Sequence, residues 1–523
     1  MPIRLAYRGM VTSVDQIASA AGIEILNEGG SAIDAAIATN AVLAVTTQHQ
    51  CGIGGDLIAV VAGHGGDPVA MIAAGRAGSG ADPDRLRREG ATAMPLRGDI
   101  RSVTIPGCVD GWFALHERFG RLPMTRLLQR GIEYARQGFA ASPLLAARAS
   151  TVEHLPGAEP YRGVSLGSRV VREGMARTLE AIAAEGRAGF YNGEFGHGLV
   201  AIGDGEFALE DFAAPFAEFR DAISVDVWGH RLWAAPPPSQ GYLTLAAAKM
   251  LERIGLPDDP DDPEWAHRVI EAAKHAGYDR EAVLSEVADA DALLGEQRIN
   301  ERADAIGGTS SMLMVPTAAG GTIHLNVVDE DGLAVSFTQS NCAGFGAFIV
   351  EPNTGVFLHN RGLGFNLVPG HPAEYQPGRR PPHTLSPAAI TSADGRVRAV
   401  LGTMGADSQP QVLLQLATRL LHNEETPEAA IAAGRFALAG ETDEAFAVWR
   451  GTVAVPRVKL EGQVPEAWVE GLLARGHTVE VEEPFSYYGG HAHVIACTDG
   501  PNGGTLLRGA ADPRVRNSDA IGR

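Results

Sequence analysis

Gly320-Gly321-Thr322-Ile323-His324-Leu325-Asn326-Val327-Val328-Asp329-Glu330-Asp331-Gly332-Leu333 is the stretch that decides the fold. From Ile323 to Val328 apolar and polar residues alternate, the period of a half-buried strand. Asp329 to Gly332 carries turn chemistry, with Asp331-Gly332 as the tight pair, and Leu333 to Gln339 reads as the returning strand. The hairpin opens on a hydroxyl residue behind two glycines, which reach backbone conformations closed to other residues. Attack of the Thr322 hydroxyl on the Gly321 carbonyl would turn that peptide bond into an ester, and water would then free Thr322 as a new N-terminus. The released α-amine, with an ordinary pKa of about 7.7–8.0, is suited to take the hydroxyl proton, so nucleophile and base share one residue. Residue types alone leave the plain reading open, because threonine favours strands.

The bulk properties narrow the class. The 523 residues suffice for two or three domains or one large layered unit. With 45% hydrophobic and 20% charged residues the chain reads as globular. A net charge of −20 argues against nucleic acid and anionic membranes as partners, which need clustered Lys and Arg. Cys51, Cys108, Cys342 and Cys497 form neither a disulfide framework nor a zinc signature. Met1 to Arg8 lacks a signal-peptide core, and no apolar run reaches the length of a spanning helix, so a cytoplasmic location is expected.

Outward from the hairpin, Ser31-Ala32-Ile33-Asp34 is a capping-box pattern opening a helix that Ile33, Ile37, Ala41 and Val45 stripe. Gly52-Ile53-Gly54-Gly55-Asp56 is a glycine turn between a helix and the strand Leu57–Val61. That order is the reverse of a dinucleotide fingerprint, which excludes that reading. Strand-like Ala70 to Ala74 ends at Arg76, either a solvated charge or a bidentate clamp for a carboxylate. Helical patterns follow near 112–119, 127–137, 243–254 and 264–284, with residues 170–230 mixed. Pro236-Pro237-Pro238-Ser239-Gln240-Gly241 reads as a linker or as a rigid wall beside a pocket. Residues 287–321 read as a polar, exposed approach to Thr322. Phe345 and Phe348 read as core, and Asn360 to Phe365 as a glycine loop. The strand Val397–Gly402, the turn Thr403-Met404-Gly405-Ala406-Asp407 and the helix 411–421 gather backbone N–H groups suited to an oxyanion, with Asp407 as a cap.

These blocks, in this order, resemble the γ-glutamyltranspeptidase family of N-terminal-nucleophile hydrolases. The matching pieces are residues 29–36, Gly52 to Asp56, Pro236 to Gly241, Thr322 to Asp329 and Asp512-Pro513-Arg514. The resemblance implies an α/β (α+β) fold, a four-layer αββα sandwich, in a proenzyme that cuts itself between Gly321 and Thr322. Residues 1–321 would form the large subunit and 322–523 the small catalytic one, staying associated as one αββα unit. A homodimer of such heterodimers is a further assembly it leaves open. Thr322 is then the nucleophile, Ser340 its supporting hydroxyl (with Thr338 nearby), and Gly405 and Ala406 the oxyanion donors.

Arg76 falls on the family's carboxylate clamp, though the usual Glu and Thr after it are Ala77 and Gly78. Arg361 and Gly364 stand where the family reads the γ-glutamyl ammonium. His383 and Thr384 replace two serines, and Cys342 replaces an asparagine, with Asn341 one residue earlier. A cation at 361 repels an ammonium and attracts a carboxylate. Asn360-Arg361-Gly362, Gly402 to Gly405 and Gln409-Pro410-Gln411 resemble a cytoplasmic branch containing enzymes similar to oxamate amidohydrolase. The expectation is hydrolysis of an amide of a small carboxylate-bearing, oxalyl-type substrate, with no metal and no organic cofactor. Three alternatives stand beside it: a glutathione hydrolase or γ-glutamyltransferase, a C–C bond hydrolase of alkylproline-type pathways, and an uncut binding protein. His324 reads as a structural strand histidine and Cys342 as a small buried thiol.

Overall fold

The computed structural model describes residues 2–313, 320–439 and 456–523. The hairpin forms as expected and runs longer, pairing Gly321–Asp329 with Ala334–Cys342. Gly332 takes the left-handed conformation in the turn, with φ +83°. The Asp329 carboxylate accepts from the backbone N–H groups of Asp331 and Leu333. Both strands are buried throughout, and their two faces have different neighbours. Ile323, Leu325 and Val327 pack with the helix Ala32–Thr46, while Thr322, His324 and Asn326 lie on the opposite face by the alternation of a strand.

The hairpin is the middle of a seven-stranded antiparallel sheet. In spatial order its strands are Asp519–Gly522, Gly9–Ser13, Gly321–Asp329, Ala334–Cys342, Asp56–Ala62, Val69–Ala73 and Glu218–Asp221. The second seven-stranded sheet runs Arg4–Ala6, Thr505–Ala511, Ala492–Asp499, Val397–Thr403, Ala388–Ser392, His230–Ala234 and Ile223–Val227. An apolar layer including Ile58, Ile72, Trp233, Ala389, Val400 and Ile495 lies between the sheets. Helices Gln16–Asn27, Ala32–Thr46 and Cys108–Phe119 cover the outer face of the first. Helices Tyr242–Ile254, Pro263–Gly277 and Gln409–Leu421 cover the second. The result is the expected four-layer αββα sandwich. Both sheets contain strands from before and after Gly321, so the chain on either side of that bond shares one core.

Local expectations are met where chemistry was local. Ser31 and Asp34 form the capping box, each side chain bonded to the other's backbone N–H. Gly54 and Gly55 are required by close approach: a Cβ on Gly54 would lie 2.1 Å from the Phe357 carbonyl, and one on Gly55 2.1 Å from that of Ser340. The approach to Thr322 differs from the exposed stretch expected. It contains the helices Ala290–Leu293 and Glu296–Asp304, whose Ile299 and Ala303, one turn apart, are buried beside the helix Tyr242–Ile254. Residues 314–319 of that approach lie outside the described residues. Among the described residues no helix is long and apolar enough to cross a membrane.

Candidate active site

A bulge in the hairpin shapes the site. Gly321 pairs with Cys342 and Thr322 with Ser340, so Asn341 is an extra residue without a partner on the facing strand. The chain accommodates it with Cys342 at φ +72°. The bulge brings the Ser340 hydroxyl within 2.9 Å of the Thr322 hydroxyl, 2.6 Å of the Gly321 carbonyl oxygen and 2.7 Å of the Cys342 N–H. A hydroxyl has one proton and two lone pairs. The Cys342 N–H must donate and the Gly321 carbonyl must accept, so the remaining lone pair of Ser340 receives the Thr322 O–H. Ser340 therefore donates to the Gly321 carbonyl while it accepts from the Thr322 hydroxyl.

The turn after strand Val397–Thr403 closes over the same bond. Gly405 and Ala406 both have positive φ, +143° and +48°. A Cβ on Gly320 would lie 2.6 Å from that of Ala406, so this turn rests directly on the residues before Thr322. Among the described residues the N–H groups of Gly405 and Ala406 have no acceptor, which suits them to an oxyanion. Ala406, a non-glycine residue in left-handed backbone, is held from two sides. The Gln240 side-chain amide donates to its carbonyl at 2.8 Å, and Arg280 bonds the neighbouring Asp407 at 2.7 Å. Asp407 thus acts as a buried ion-pair partner, whereas the sequence pattern suggested a helix cap. Gln240 also donates to the Thr384 carbonyl, which makes the proline-rich motif a wall of the site.

Arg361, His383 and Thr384 come together. The loop carrying Arg361 is tied to the bulge through Asn360, whose side chain accepts from the Ala343 N–H at 3.0 Å. Arg361 is buried and donates to the Thr384 hydroxyl at 3.1 Å. Among the described residues no carboxylate lies within 4 Å of its guanidinium. Asp56, the acid of this cluster, is already engaged by the N–H groups of Gly75 and Gly107 and by His383 Nε2 at 3.1 Å. Burial raises the Asp56 pKa, but His359, His383 and Gly75 outweigh it and hold the carboxyl below its ordinary value. His383 accepts at Nδ1 from the Leu385 N–H, which places its proton on Nε2. Burial and the Arg361 charge lower its pKa to about 4, so it is neutral at pH 7.

Two expected contributors are directed elsewhere. Arg76 donates to the Glu286 carboxylate at 3.0 Å and to the Gly378 carbonyl at 2.8 Å, so its charge is already compensated. The Asn341 amide donates to the Gln48 carbonyl, fastening the bulge to the end of the helix Ala32–Thr46 region. His324 is buried between Thr338 and Asn326, with a pKa lowered to about 3 by burial and then by His493. It is a structural residue. Burial raises Cys342 to about 11, which keeps it a neutral thiol. His267, Glu271 and His477 cluster elsewhere at metal-ligand spacing, but a His267–His477 hydrogen bond of 2.9 Å and the Lys274 ammonium on Glu271 already occupy those atoms.

Sequence reasoning missed Asp56, Gln240 and Tyr487, whose hydroxyl approaches the Gly320 carbonyl at 3.4 Å. Asp56 and Gln240 lie inside recognised glycine and proline motifs, and that was the available signal.

The family model of gamma-glutamyltranspeptidase matches residues 18–522. The chain belongs to the γ-glutamyltranspeptidase family. It is 35% identical to the oxamate amidohydrolase proenzyme of Klebsiella pneumoniae, over 99% of each chain. It is 32% identical to the glutathione hydrolase-like YwrD proenzyme of Bacillus subtilis, over 98% of each. The crystal structure of cephalosporin acylase from Bacillus halodurans superposes with a TM-score of 0.90 at 29% identity, covering 100% of this chain and 97% of that one. As a member of this family, the chain is an enzyme of the hydrolase class. The three relatives bear different substrate names, so the acyl pocket has to be argued from this chain's own residues.

Proposed function

We propose that this member of the γ-glutamyltranspeptidase family cuts itself before Thr322 and then hydrolyses amides of a small carboxylate-bearing, oxalyl-type acid. The observation that carries the substrate reading is Arg361, a buried guanidinium without a carboxylate partner among the described residues, beside the nucleophile bulge. A buried cation without a countercharge is costly, and a substrate carboxylate relieves that cost.

In the precursor the Thr322 oxygen bonds to the Gly321 carbonyl carbon, and its proton moves toward Ser340. Collapse breaks the C–N bond as that proton passes to the leaving nitrogen, giving an ester on Thr322 and a free α-amine. Water hydrolyses the ester and leaves a Gly321 carboxylate. In the mature enzyme that α-amine takes the Thr322 hydroxyl proton as the oxygen attacks the substrate carbonyl. The Gly405 and Ala406 N–H groups receive the oxyanion. The amine then returns the proton to the leaving nitrogen, and water releases the acid from Thr322. Transfer to a second amine is not required by any of these steps.

The test compares purified wild type with Arg361→Gln on oxamate and on γ-glutamyl-p-nitroanilide. Loss of a charge-assisted contact of about 1.5–3 kcal/mol should lower kcat/KM for oxamate roughly 10- to 150-fold. Wild-type turnover of the glutamyl anilide with none of oxamate would overturn the oxalyl reading and favour a glutathione hydrolase.

A further inference from the structure

Asp56 is a buried carboxylate beside the nucleophile, and none of the steps above uses it. The register sets it in a row across three strands. Thr322 pairs with Ser340 and Ser340 with Asp56, so the three side chains project from one face of the sheet. Ser340 bonds within the hairpin, whereas Asp56 bonds away from it. Its Oδ1 accepts from the Gly75 and Gly107 N–H groups at 3.0 and 3.1 Å, and its Oδ2 accepts from His383 Nε2 at 3.1 Å. His359 Nδ1 lies 3.5 Å from the same Oδ2. That ring is itself fixed, since His359 Nε2 donates to the Thr104 carbonyl at 2.8 Å and the His359 backbone N–H to the Gly54 carbonyl at 3.0 Å.

These two histidines adjoin the two residues of the carboxylate site. His359 stands two positions before Arg361, and His383 immediately precedes Thr384. Their segments therefore meet twice, at the Arg361–Thr384 hydrogen bond of 3.1 Å and at the Asp56 carboxylate. The geometry points to Asp56 as the positioning residue of the acyl-carboxylate site: it holds the Thr384 segment through His383 and packs against His359 of the Arg361 segment, without touching substrate. This rests on the Arg361 reading above. Both Asp56 oxygens are already engaged, and an anion there would repel an acyl carboxylate. Asparagine cannot take its place. Three N–H donors point at Asp56, and an amide offers one acceptor oxygen and a donating NH2. The imidazole cannot become the acceptor either, because His383 Nδ1 already accepts from the Leu385 N–H at 3.2 Å. Asp56→Asn therefore leaves at least one of the three donors without its acceptor.

The experiment is a double-mutant cycle on the self-cleaved enzyme, with Asp56→Asn and Arg361→Gln made singly and together and oxamate as substrate. Alone, Asp56→Asn should raise KM about tenfold or more with a smaller change in kcat, the pattern of lost binding rather than lost chemistry. In the Arg361→Gln background it should change kcat/KM by less than about twofold, because a residue that acts through the guanidinium then has nothing to position. A merely structural role would lower activity by the same factor in both backgrounds, and that outcome overturns the proposal. So does a KM that is unchanged or falls in Asp56→Asn, which would make the carboxylate only an opposing charge. If Asp56→Asn fails to fold, His383→Leu removes the donor from the other side and enters the same cycle. Should wild type turn over γ-glutamyl-p-nitroanilide and no oxamate, the oxalyl reading falls and the cycle is run on the anilide. Non-additive effects there keep the role of Asp56, and additive effects remove it.

Discussion

Ser340→Ala tests the self-cleavage geometry most sharply. The substitution removes one hydroxyl with three partners: the Gly321 carbonyl at 2.6 Å, the Thr322 hydroxyl at 2.9 Å and the Cys342 N–H at 2.7 Å. Loss of the donor to the Gly321 oxygen removes stabilisation of the charge that develops there. A single oxyanion donor is worth about 2.7–4 kcal/mol, so cleavage should slow roughly 100- to 1000-fold. The Cys342 N–H, left buried and unpaired, costs about 1–3 kcal/mol of fold stability. These two effects separate experimentally. Cleavage is followed as conversion of the 54.9 kDa precursor to two fragments on denaturing gels after a pulse of synthesis. Stability is measured by urea unfolding in a Thr322→Ala background, where no cut occurs. Ser340→Thr, which keeps the hydroxyl, should recover cleavage to within about tenfold of wild type, an estimate that treats one retained hydrogen bond as intact. Fragments appearing from Ser340→Ala at the wild-type rate would refute the reasoning that this hydroxyl polarises the Gly321 carbonyl.

Acid should unfold the protein before its carboxylates titrate. His49, His324 and His493 each have a pKa lowered to about 3 by burial first, against 6.5 when unfolded. The unfolded chain binds more protons between those values, so their contribution is present above pH 6.5 and is lost as pH falls toward 3. At 1.36 kcal/mol per unit this is roughly 3–5 kcal/mol for each fully buried ring. Urea midpoints from pH 7 to 4 check it, and His324→Gln should flatten the slope. Gly54→Ala sets a Cβ 2.1 Å from the Phe357 carbonyl, a backbone atom that has no rotamer to yield, so folded yield should collapse. Gly65→Ala, with nothing within 4 Å of its Cβ but φ +91°, should cost only about 1–2 kcal/mol by thermal melting. Gln240→Leu removes the donor to the Ala406 carbonyl and loosens the oxyanion turn. It should lower kcat about tenfold or more with a smaller change in KM, read from steady-state kinetics.

Much of the architecture was legible because its causes are local. The alternation of Ile323 to Val328, the Asp331-Gly332 turn and the Ser31–Asp34 capping box each need only a few neighbouring residues. Motif order along the whole chain carried the family and the layered fold. Side-chain direction was the part that local pattern did not carry. Arg76 and Arg361 are both arginines beside glycines in the sequence. One is neutralised by Glu286, 210 positions away, and the other is buried with only Thr384 as its hydrogen-bond partner among the described residues. The pairing of Asp407 with Arg280 likewise joins residues 127 apart, and the helix Glu296–Asp304 is fixed by a helix from an earlier segment.

The sequence by itself therefore determined the hairpin, the capping box and the order of the motifs, since strand period, turn residues and cap residues are properties of short stretches. The tertiary structure alone decided which charges stay unpaired near the hairpin bulge and which are compensated far from it. A guanidinium on a long flexible stem takes its partner from whichever segment the fold brings within about 3 Å, the reach of a hydrogen bond.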